Sequence, residues 1–394
     1  MSTKHLFEHL SKTLIDESIQ RRRHLHSIPE LGLEEFKTRA QLIEWLTDWG
    51  YVVTENIGQT GFVATLTRGE GPAIGIRADM DALPIQETDQ VEYASTHKQC
   101  MHACGHDGHM AIALGAAQYL STHDCFRGTV HFVFQPAEEN AGGGQLMVQD
   151  GLFERFPMAH ILGLHNWPGL PAGEIAVNPG AMMASHDSFT ITLTGKSCHA
   201  AMPHLGKDPI VAAAQLINAL QSIISRSVAP SESAVISVTQ MHSGDAMNVI
   251  PDQAVLRGTV RCLADETREK VVGLMASVVE QFLTPFGIDS QLVWEYGYPV
   301  TANHADTAAC FANIARKAIG EDNVHWNVVP SMAAEDFSFL LKECPGVYFW
   351  LGADGDTPSP SLHNTYFDFN DELMTTGIAL WVAVVEHYLA KSAE

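Results

Sequence analysis

Basic residues are scarce in this chain. Among 394 residues, 46 are aspartate or glutamate and only 23 are lysine or arginine, so the formal net charge is −23. A surface with such an excess of negative charge repels nucleic-acid phosphates and anionic lipid headgroups. We therefore expect no nucleic-acid partner and no membrane partner.

Long apolar segments and regularly spaced cysteines are also missing. No uninterrupted apolar run approaches the roughly 18 residues that a membrane-spanning helix needs, and the first 14 residues lack the apolar core of a signal peptide. The seven cysteines are odd in number and scattered, which does not suit a disulfide framework. These absences favour a protein of the reducing cytoplasm.

Several catalytic signatures are absent as well. The segment TGKS at 194–197 is similar to the end of a P-loop, but that motif needs glycine where this chain has Thr190. The chain contains no H-E-x-x-H, no G-x-S-x-G, no P-C-x-x-C and no G-x-G-x-x-G. Nucleotide binding, serine-hydrolase chemistry and zinc-deaminase chemistry are therefore disfavoured.

What is present is enough apolar material for two domains, since 46% of the residues are hydrophobic and 18% are charged. Buried strand patterns alternate with helical patterns at both ends of the chain, which is typical of a layered α/β sheet. Between them, residues 187–296 follow the order β-α-β-β-α-β of a ferredoxin-like unit. We predict a discontinuous α/β domain with a mixed sheet at 1–183 and 298–394, interrupted by an inserted α+β domain at 184–297.

Two helices have clear local signals. Leu6, Leu10 and Leu14 recur on one face and predict a first helix over residues 5–26. In the insert, Asp208 followed by Pro209 predicts a helix start with an aspartate cap.

The densest group of potential ligands is MHACGHDGHM at 101–110. Cys104 and His106 flank a glycine, and His109 follows. By itself this segment suits a metal site, a reactive thiol or a polar turn before a helix. Because metal ligands come in sets, the remaining polar positions must be considered with it.

Two aspartates follow a predicted strand in RADMDALP. Asp79 and Asp81 stand two residues apart and point the same way if the strand continues. They could ligate a metal or orient ligating histidines. The alternative is a solvated strand end.

Two adjacent glutamates follow another predicted strand in QPAEEN. On extended chain, Glu138 and Glu139 point to different sides, so one can bind a metal while the other faces a water. That division suits a metal hydrolase, in which one glutamate is a ligand and the other a general base. The alternative is a solvated loop.

Two further histidines are each followed by asparagine. His165 is predicted at the end of an apolar strand and His363 in a loop. A single histidine is more often structural than a ligand, but the candidates together form a mixed thiolate, imidazole and carboxylate set. Such a set suits zinc, manganese, cobalt or nickel rather than calcium or magnesium alone. Its members are Cys104, His106, Glu139, His165 and His363.

Eight segments in register resemble the M20 metallopeptidase family, in its amidohydrolase branch. That branch contains hippurate hydrolases, N-acyl-amino-acid amidohydrolases, N-acetyldiaminopimelate deacetylases and auxin–amino-acid conjugate hydrolases. The segments cover essentially the whole chain; they are RRRHLHSIPELGLEE, RADMDALP, MHACGHDGH, QPAEE, LHNWP, HAAMPH, NVIPD and SLHN.

The resemblance implies a catalytic domain with an inserted lid that commonly dimerises, so a homodimer or homotetramer is expected. It implies two divalent metal ions held by the five residues named above. Glu138 is expected to act as general base and then proton donor, and Asp81 to orient a ligand.

In the lid, the resemblance assigns His199 to the reacting carbonyl and Asn248 to substrate binding. Arg261 is our candidate for a bidentate grip on a substrate carboxylate, with a salt bridge inside the lid as the equal alternative.

We therefore expect a metal-dependent amidohydrolase that cleaves the amide of N-acyl amino acids such as hippurate. Two alternatives stay open. One is a dipeptidase or carboxypeptidase of the same family, and the other is a non-catalytic binder of amino-acid conjugates. Cys104 as an oxidation-sensitive nucleophile is the lesser interpretation, because metal coordination would occupy its lone pairs.

Overall fold

The computed structural model describes residues 10–88 and 91–391, and these fall into two compact units. The first unit takes the described residues within Met1–Met182, Ala302–Val329 and Asp336–Glu394, and the second takes Met183–Thr301 and Pro330–Glu335. The sequence had placed the insert at 184–297 alone. Residues 330–335 join it because the amide of Ala184 donates to the carbonyl of Ser331 at 3.0 Å.

The first unit is built on a mixed sheet, as the sequence predicted. Within the described residues the sheet has eight strands, and the central four run parallel. Most residues of those four strands are buried on both faces, which accounts for their nearly continuous hydrophobic sequences. In sheet order, the strands are Val52–Glu55, Phe62–Arg68, Gly128–Gln135, Ala73–Asp79, His160–Pro171, Gly346–Asp354, Ile175–Val177 and Val324–Trp326.

Helices cover this sheet and enclose its apolar core. The first described helix is Lys12–Ser27, and the Ser11 hydroxyl caps it by accepting the Leu14 amide at 3.1 Å. The start predicted at residue 5, with Leu6, lies outside the described residues. The other helices of this unit are Phe36–Asp48, His106–Thr122, Gly143–Gln149, Leu152–Arg155, Ala305–Ile319, the 3₁₀ turn Glu321–Asn323, Phe337–Glu343 and Leu373–Tyr388.

The second unit has its own apolar core and a four-stranded antiparallel sheet. Across the sheet the strands are Ala234–His242, Gln253–Cys262, Asp187–Thr194 and Asp289–Tyr296, which is the ferredoxin-like order that the sequence predicted. Its helices are Pro209–Ser222, continued by the π-helical Ile223–Ser227, and Asp265–Phe282, with 3₁₀ turns Pro203–Leu205 and Thr284–Phe286.

The predicted cap in this unit is confirmed. The Asp208 carboxylate accepts the amides of Ile210 at 2.9 Å and Val211 at 3.3 Å, with Pro209 at the first helical position. The part of the chain that the structure describes has four further short strands: Ala181–Met183, Cys198–His199, Val249–Ile250 and Thr301–Ala302.

Two absences noted in the sequence have structural counterparts. All seven cysteines lie among the described residues, and none of them forms a disulfide. Across 10–88 and 91–391, no helix has both the length and the apolarity needed to cross a membrane.

A buried arginine ties the first helix to two other parts of its unit. Arg22 is fully buried, and its guanidinium contacts Asp371 at 2.9 Å, Asp368 at 2.6 Å and Asp107 at 3.4 Å. Burial alone would lower the pKa of Arg22, but these three carboxylates outweigh it and raise the pKa. Asp107 lies between His106 and His109, so this network supports the start of the helix that carries them.

We expect Arg22→Met to destabilise the protein by about 3–5 kcal/mol, because it removes the fully buried cation that Asp107, Asp368 and Asp371 share. The measurement is the free energy of urea unfolding of the first unit. Arg23→Met is the matched control, since Arg23 contacts Asp371 at 2.8 Å but is 39% exposed, and we expect a loss below about 1 kcal/mol. Equal losses in the two variants would contradict this account of the network.

Candidate metal centre

A left-handed glycine shapes the segment MHACGHDGHM. Gly105 has φ +94° and stands directly before helix His106–Thr122. A Cβ atom at this position would lie 2.2 Å from the Asn166 side-chain oxygen, so both the backbone conformation and the close approach require glycine. The turn places Cys104 before the helix and His106 at its first residue.

The five ligand candidates from the sequence come together in the first unit. Three overlapping groups have their ligand atoms within 4.8 Å of one another: Cys104 with His106 and His165, Cys104 with Glu139 and His363, and His106 with Glu138 and Glu139. The side chains of Cys104, His106 and His165 are buried, whereas His363 is half-exposed. The cluster is therefore reachable from one side.

Main-chain carbonyls fix the orientation of two of these histidines. His106 donates its Nδ1 hydrogen to the carbonyl of Asp81 at 2.8 Å, and His165 donates its Nδ1 hydrogen to the carbonyl of Asn166 at 2.7 Å. A carbonyl can only accept, so a neutral ring in this position keeps the lone pair on Nε2. The Nε2 atom of His165 lies 3.4 Å from the Cys104 sulfur.

The Nε2 atom of His106 is buried and makes no hydrogen bond within the described residues. Its nearest carboxylate oxygens, on Asp79 and Glu139, are 3.6 and 3.9 Å away. A buried polar atom without a hydrogen bond is costly. Directed into a set of sulfur, nitrogen and carboxylate donors, it fits a divalent transition metal.

Electrostatics in the cluster also favour a cation. Burial, with the carboxylates of Glu139 and Glu138, raises the pKa of the Cys104 thiol well above its usual value. Burial would lower the pKa of His106, but nearby carboxylates raise it to about 10. A bound divalent cation reverses this local preference, because it stabilises thiolate and neutral imidazole together.

Asp79 and His109 lie next to the ligand candidates, and hydrogen bonds hold both side chains in place. His109 is hydrogen-bonded at both nitrogens, to Asp79 at 2.7 Å and to the Asn166 side chain at 2.7 Å. Asp79 also receives the guanidinium of Arg77 at 2.6 Å. Potential ligand atoms of Asp79 and His109 lie within 4.8 Å of one on His106. Both side chains are already hydrogen-bonded, Asp79 to Arg77 and His109 to Asn166.

Asp81 contacts two parts of the cluster. Its main-chain carbonyl orients His106, and its carboxylate accepts the amide hydrogen of Glu139 at 2.9 Å. The strand ends at Asp79, so the two aspartates do not share one direction along a continuing strand. They have separate partners instead.

Glu138 and Glu139 lie in a turn rather than on the extended chain that the sequence suggested. Ala137, just before them, has φ +52° and its carbonyl accepts the amides of Ala141 and Gly143. The carboxylates of both glutamates consequently lie in one group of potential ligands with His106, instead of pointing to opposite sides of the chain. The Glu138 carboxylate also accepts the amide hydrogen of Asp336 at 3.3 Å.

The two outer histidines differ from each other in setting. His165 lies inside a strand that continues to Pro171, so its prediction at a strand end was wrong. The strand extends because Asn166 and Trp167 still pair with the neighbouring strand Gly346–Asp354. His363 has φ +61°, and its amide donates to the carbonyl of Ala103 at 2.8 Å, which joins its loop to the Cys104 segment.

Three predicted residues lie in the second unit. Cys198–His199 pairs with Val249–Ile250, and the amide of Ala200 donates to the carbonyl of Asn248 at 2.9 Å, so His199 and Asn248 are neighbours. Both side chains are exposed. Arg261 lies on strand Gln253–Cys262, half-buried, and within the described residues no carboxylate oxygen is within 4.0 Å of its guanidinium nitrogens.

Sequence reasoning missed three supporting residues: Asn166, Arg77 and Asp336. Asn166 had a visible signal, since it follows His165 directly. Arg77 is buried and joins Asp79, Gln135 and Asp336. Asp336 comes from a segment about 200 residues away from Glu138, so no local pattern links them.

Comparison with known proteins gives a consistent result. The model of "Peptidase family M20/M25/M40" matches residues 75–387. The chain is 40% identical to a hippurate hydrolase of Campylobacter jejuni over 93% of this chain and 95% of that protein. It is also 40% identical to an N-acetyl-L-cysteine deacetylase of Bacillus subtilis, over 87% and 82% of the two chains.

A solved structure is similar as well. A dinuclear metal-binding peptidase of the M20 family from Bacillus subtilis superposes with a TM-score of 0.83 at 34% identity, over 96% of this chain and 99% of that one. The expected family is thereby confirmed, and the donor cluster described above agrees with a cofactor of two divalent metal ions. The chain belongs to peptidase family M20/M25/M40 and is a metal-dependent amidohydrolase.

Proposed function

We propose that this enzyme hydrolyses the amide bond of N-acyl amino acids, releasing a carboxylic acid and a free amino acid. The observation that carries the proposal is the Glu138 carboxylate beside the five-residue donor cluster, with His106 Nε2 aimed into it. Two relatives support the substrate class, because their names describe action on hippurate and on N-acetyl-L-cysteine, both of them N-acyl amino acids.

The metal ions would be held by the mixed donor set of Cys104, His106, Glu139, His165 and His363. When bound, a divalent metal polarises the amide carbonyl and lowers the pKa of a water from 15.7 in bulk to about 7. His106 and His165 present Nε2 because their Nδ1 hydrogens are used. Asp81 orients His106 and holds the amide of Glu139.

Glu138 moves the proton. It takes a proton from the attacking water and returns it to the leaving amide nitrogen, acting as base and then as acid. The Asp336 amide hydrogen-bonds one carboxylate oxygen of Glu138 at 3.3 Å and so limits its rotation. The bond between the carbonyl carbon and this nitrogen then breaks, and the products are a carboxylic acid and an amino acid with a free amine.

For three residues of the second unit, we propose roles in catalysis and substrate binding. His199 donates a hydrogen bond to the reacting carbonyl, and Asn248 binds substrate. Arg261 grips the carboxylate of the amino-acid moiety. In favour of that assignment, no carboxylate of the described residues is within 4.0 Å of the guanidinium, so it is available for a bidentate partner.

Removing the metal should abolish hydrolysis of hippurate. We expect release of glycine to fall by at least about 100-fold after chelation and desalting, because no other group here polarises the carbonyl as strongly. Manganese, cobalt or zinc should restore it, whereas magnesium should not, since a thiolate and imidazole set suits borderline metals. Full activity in verified metal-free protein would contradict the proposal. Cleavage of dipeptides but of no N-acyl amino acid, with any metal, would contradict the substrate class.

Glu138 and Glu139 should differ when each is replaced by glutamine. Glu138→Gln should retain metal while kcat falls about 10²- to 10⁴-fold, because the proton carrier is lost. Glu139→Gln should reduce both kcat and the metal content. The measurements are kcat at saturating metal and metal content by mass spectrometry. A Glu138→Gln enzyme with near-normal kcat would overturn the assignment of the base.

Cys104 should be needed to retain metal. We expect Cys104→Ala to raise the metal dissociation constant at least about tenfold, since even partners behind the ligands cost that much when lost. Cys100→Ala is the matched control, because Cys100 is equally buried but belongs to none of the donor groups. Unchanged stoichiometry and affinity in Cys104→Ala would show that the thiol is not a ligand.

A further inference from the structure

A second buried carboxylate lies behind the turn that carries Glu138 and Glu139. Glu35 immediately precedes helix Phe36–Asp48 and has no exposed surface. Among the described residues, no lysine, arginine or histidine nitrogen lies within 4.0 Å of its carboxylate. Burying a carboxylate without a neighbouring cation costs free energy. The contacts of Glu35 must therefore account for its burial.

Both oxygens of Glu35 accept hydrogen bonds. One accepts the main-chain amide hydrogen of Ala137 at 2.8 Å, and the other accepts the hydroxyl hydrogen of Thr60. The first contact joins residues 102 positions apart. It therefore fixes the turn from a separate part of the unit.

Ala137 is the residue whose conformation needs this support. Its φ of +52° is left-handed, which a residue with a Cβ atom rarely adopts and holds only when its surroundings impose it. The neighbouring backbone is close, because a Cβ atom on Gly32 would lie 2.8 Å from the Ala137 Cα. With the Ala137 amide engaged by Glu35, the chain turns at once into Glu138 and Glu139.

We propose that Glu35 is a positioning residue for the catalytic turn. Its buried carboxylate holds Ala137 in the left-handed conformation that directs both Glu138 and Glu139 to the group around His106. The inference rests on the proposed roles of those two glutamates. A purely structural role, anchoring the start of helix Phe36–Asp48, would affect stability alone.

Variants at position 35 separate the effect of side-chain length from the effect of charge. Glu35→Gln keeps an oxygen for the Ala137 amide and offers its NH₂ group to the Thr60 hydroxyl, so kcat should stay within about threefold of the parent. Glu35→Asp keeps the charge but is one methylene too short, so kcat should fall about 10- to 100-fold, the range seen when supporting partners are lost. Glu35→Ala should fall at least as far. Glu34→Ala, at the exposed neighbouring residue, is the control and should change nothing.

Each variant is measured for kcat at saturating metal, for metal dissociation constant and for thermal midpoint. We expect Glu35→Asp to weaken metal binding about tenfold, because Glu139 shares the turn. The inference is overturned if Glu35→Asp matches the parent in kcat and metal affinity, or if Glu35→Gln is as impaired as Glu35→Asp.

Failure of the proposed function gives a different result. In that case Glu138→Gln keeps its activity, and the metal affinities of Glu35→Asp and Glu35→Gln still decide whether Glu35 positions the turn. A lower thermal midpoint with normal kcat and normal metal affinity in Glu35→Ala would assign Glu35 to stability only and would also overturn the inference.

Discussion

The centre depends on two hydrogen bonds in which buried histidines donate to main-chain carbonyls. The carbonyls of Asp81 and Asn166 receive the Nδ1 hydrogens of His106 and His165. Each bond fixes a ring orientation and leaves the Nε2 lone pair facing the other donors. Without them, each ring could rotate or change tautomer, and the donor set would lose its geometry. The parallel sheet supplies this rigidity, since Asp81 follows one central strand and His165 lies within the next.

Charge balance is the second requirement of the same centre. Carboxylates crowd around His106, and the unit offsets part of this charge with buried cations placed behind the ligands. Arg77 neutralises Asp79, and its guanidinium, together with His106 and His109, holds the pKa of Asp79 well below its usual value despite burial. On the ligand side, the thiol pKa of Cys104 is raised. The cation that would stabilise its thiolate is the metal itself, which makes metal binding and the charge state of the centre a single equilibrium.

The sequence was informative wherever a local pattern sets the structure. The central strands, the aspartate cap at Asp208 and the ferredoxin-like order of the second unit all follow from periodicity and capping chemistry. Five ligand candidates that cluster in the structure could be named because most of them stand at predicted strand ends and because together they form a set of metal-binding groups. The sequence could not predict backbone conformations that depend on contacts with distant segments of the chain. An alanine with positive φ has no local signature, so the sequence predicts extended chain where the structure has the turn at Ala137.

The same limit explains the other differences. Residues 330–335 join the second unit through main-chain pairing with Ala184, which no side-chain pattern records. His165 lies within its strand because the neighbouring strand Gly346–Asp354 continues to pair beyond it. The buried contact between Arg77 and Asp336 joins segments 259 positions apart, so no local pattern predicts it. Long-range contacts therefore decide how the ligand residues are held, whereas local patterns decide which residues they are.

The proposed ligand set of the metal ions consists of one thiolate, three imidazole groups and one carboxylate. X-ray absorption at the zinc edge of the zinc-loaded enzyme tests it most directly. We expect a sulfur shell at about 2.3 Å beside nitrogen and oxygen at about 2.0–2.2 Å, with the sulfur shell lost in Cys104→Ala. A spectrum with nitrogen and oxygen alone, identical in the parent and in Cys104→Ala, would contradict this account of the centre.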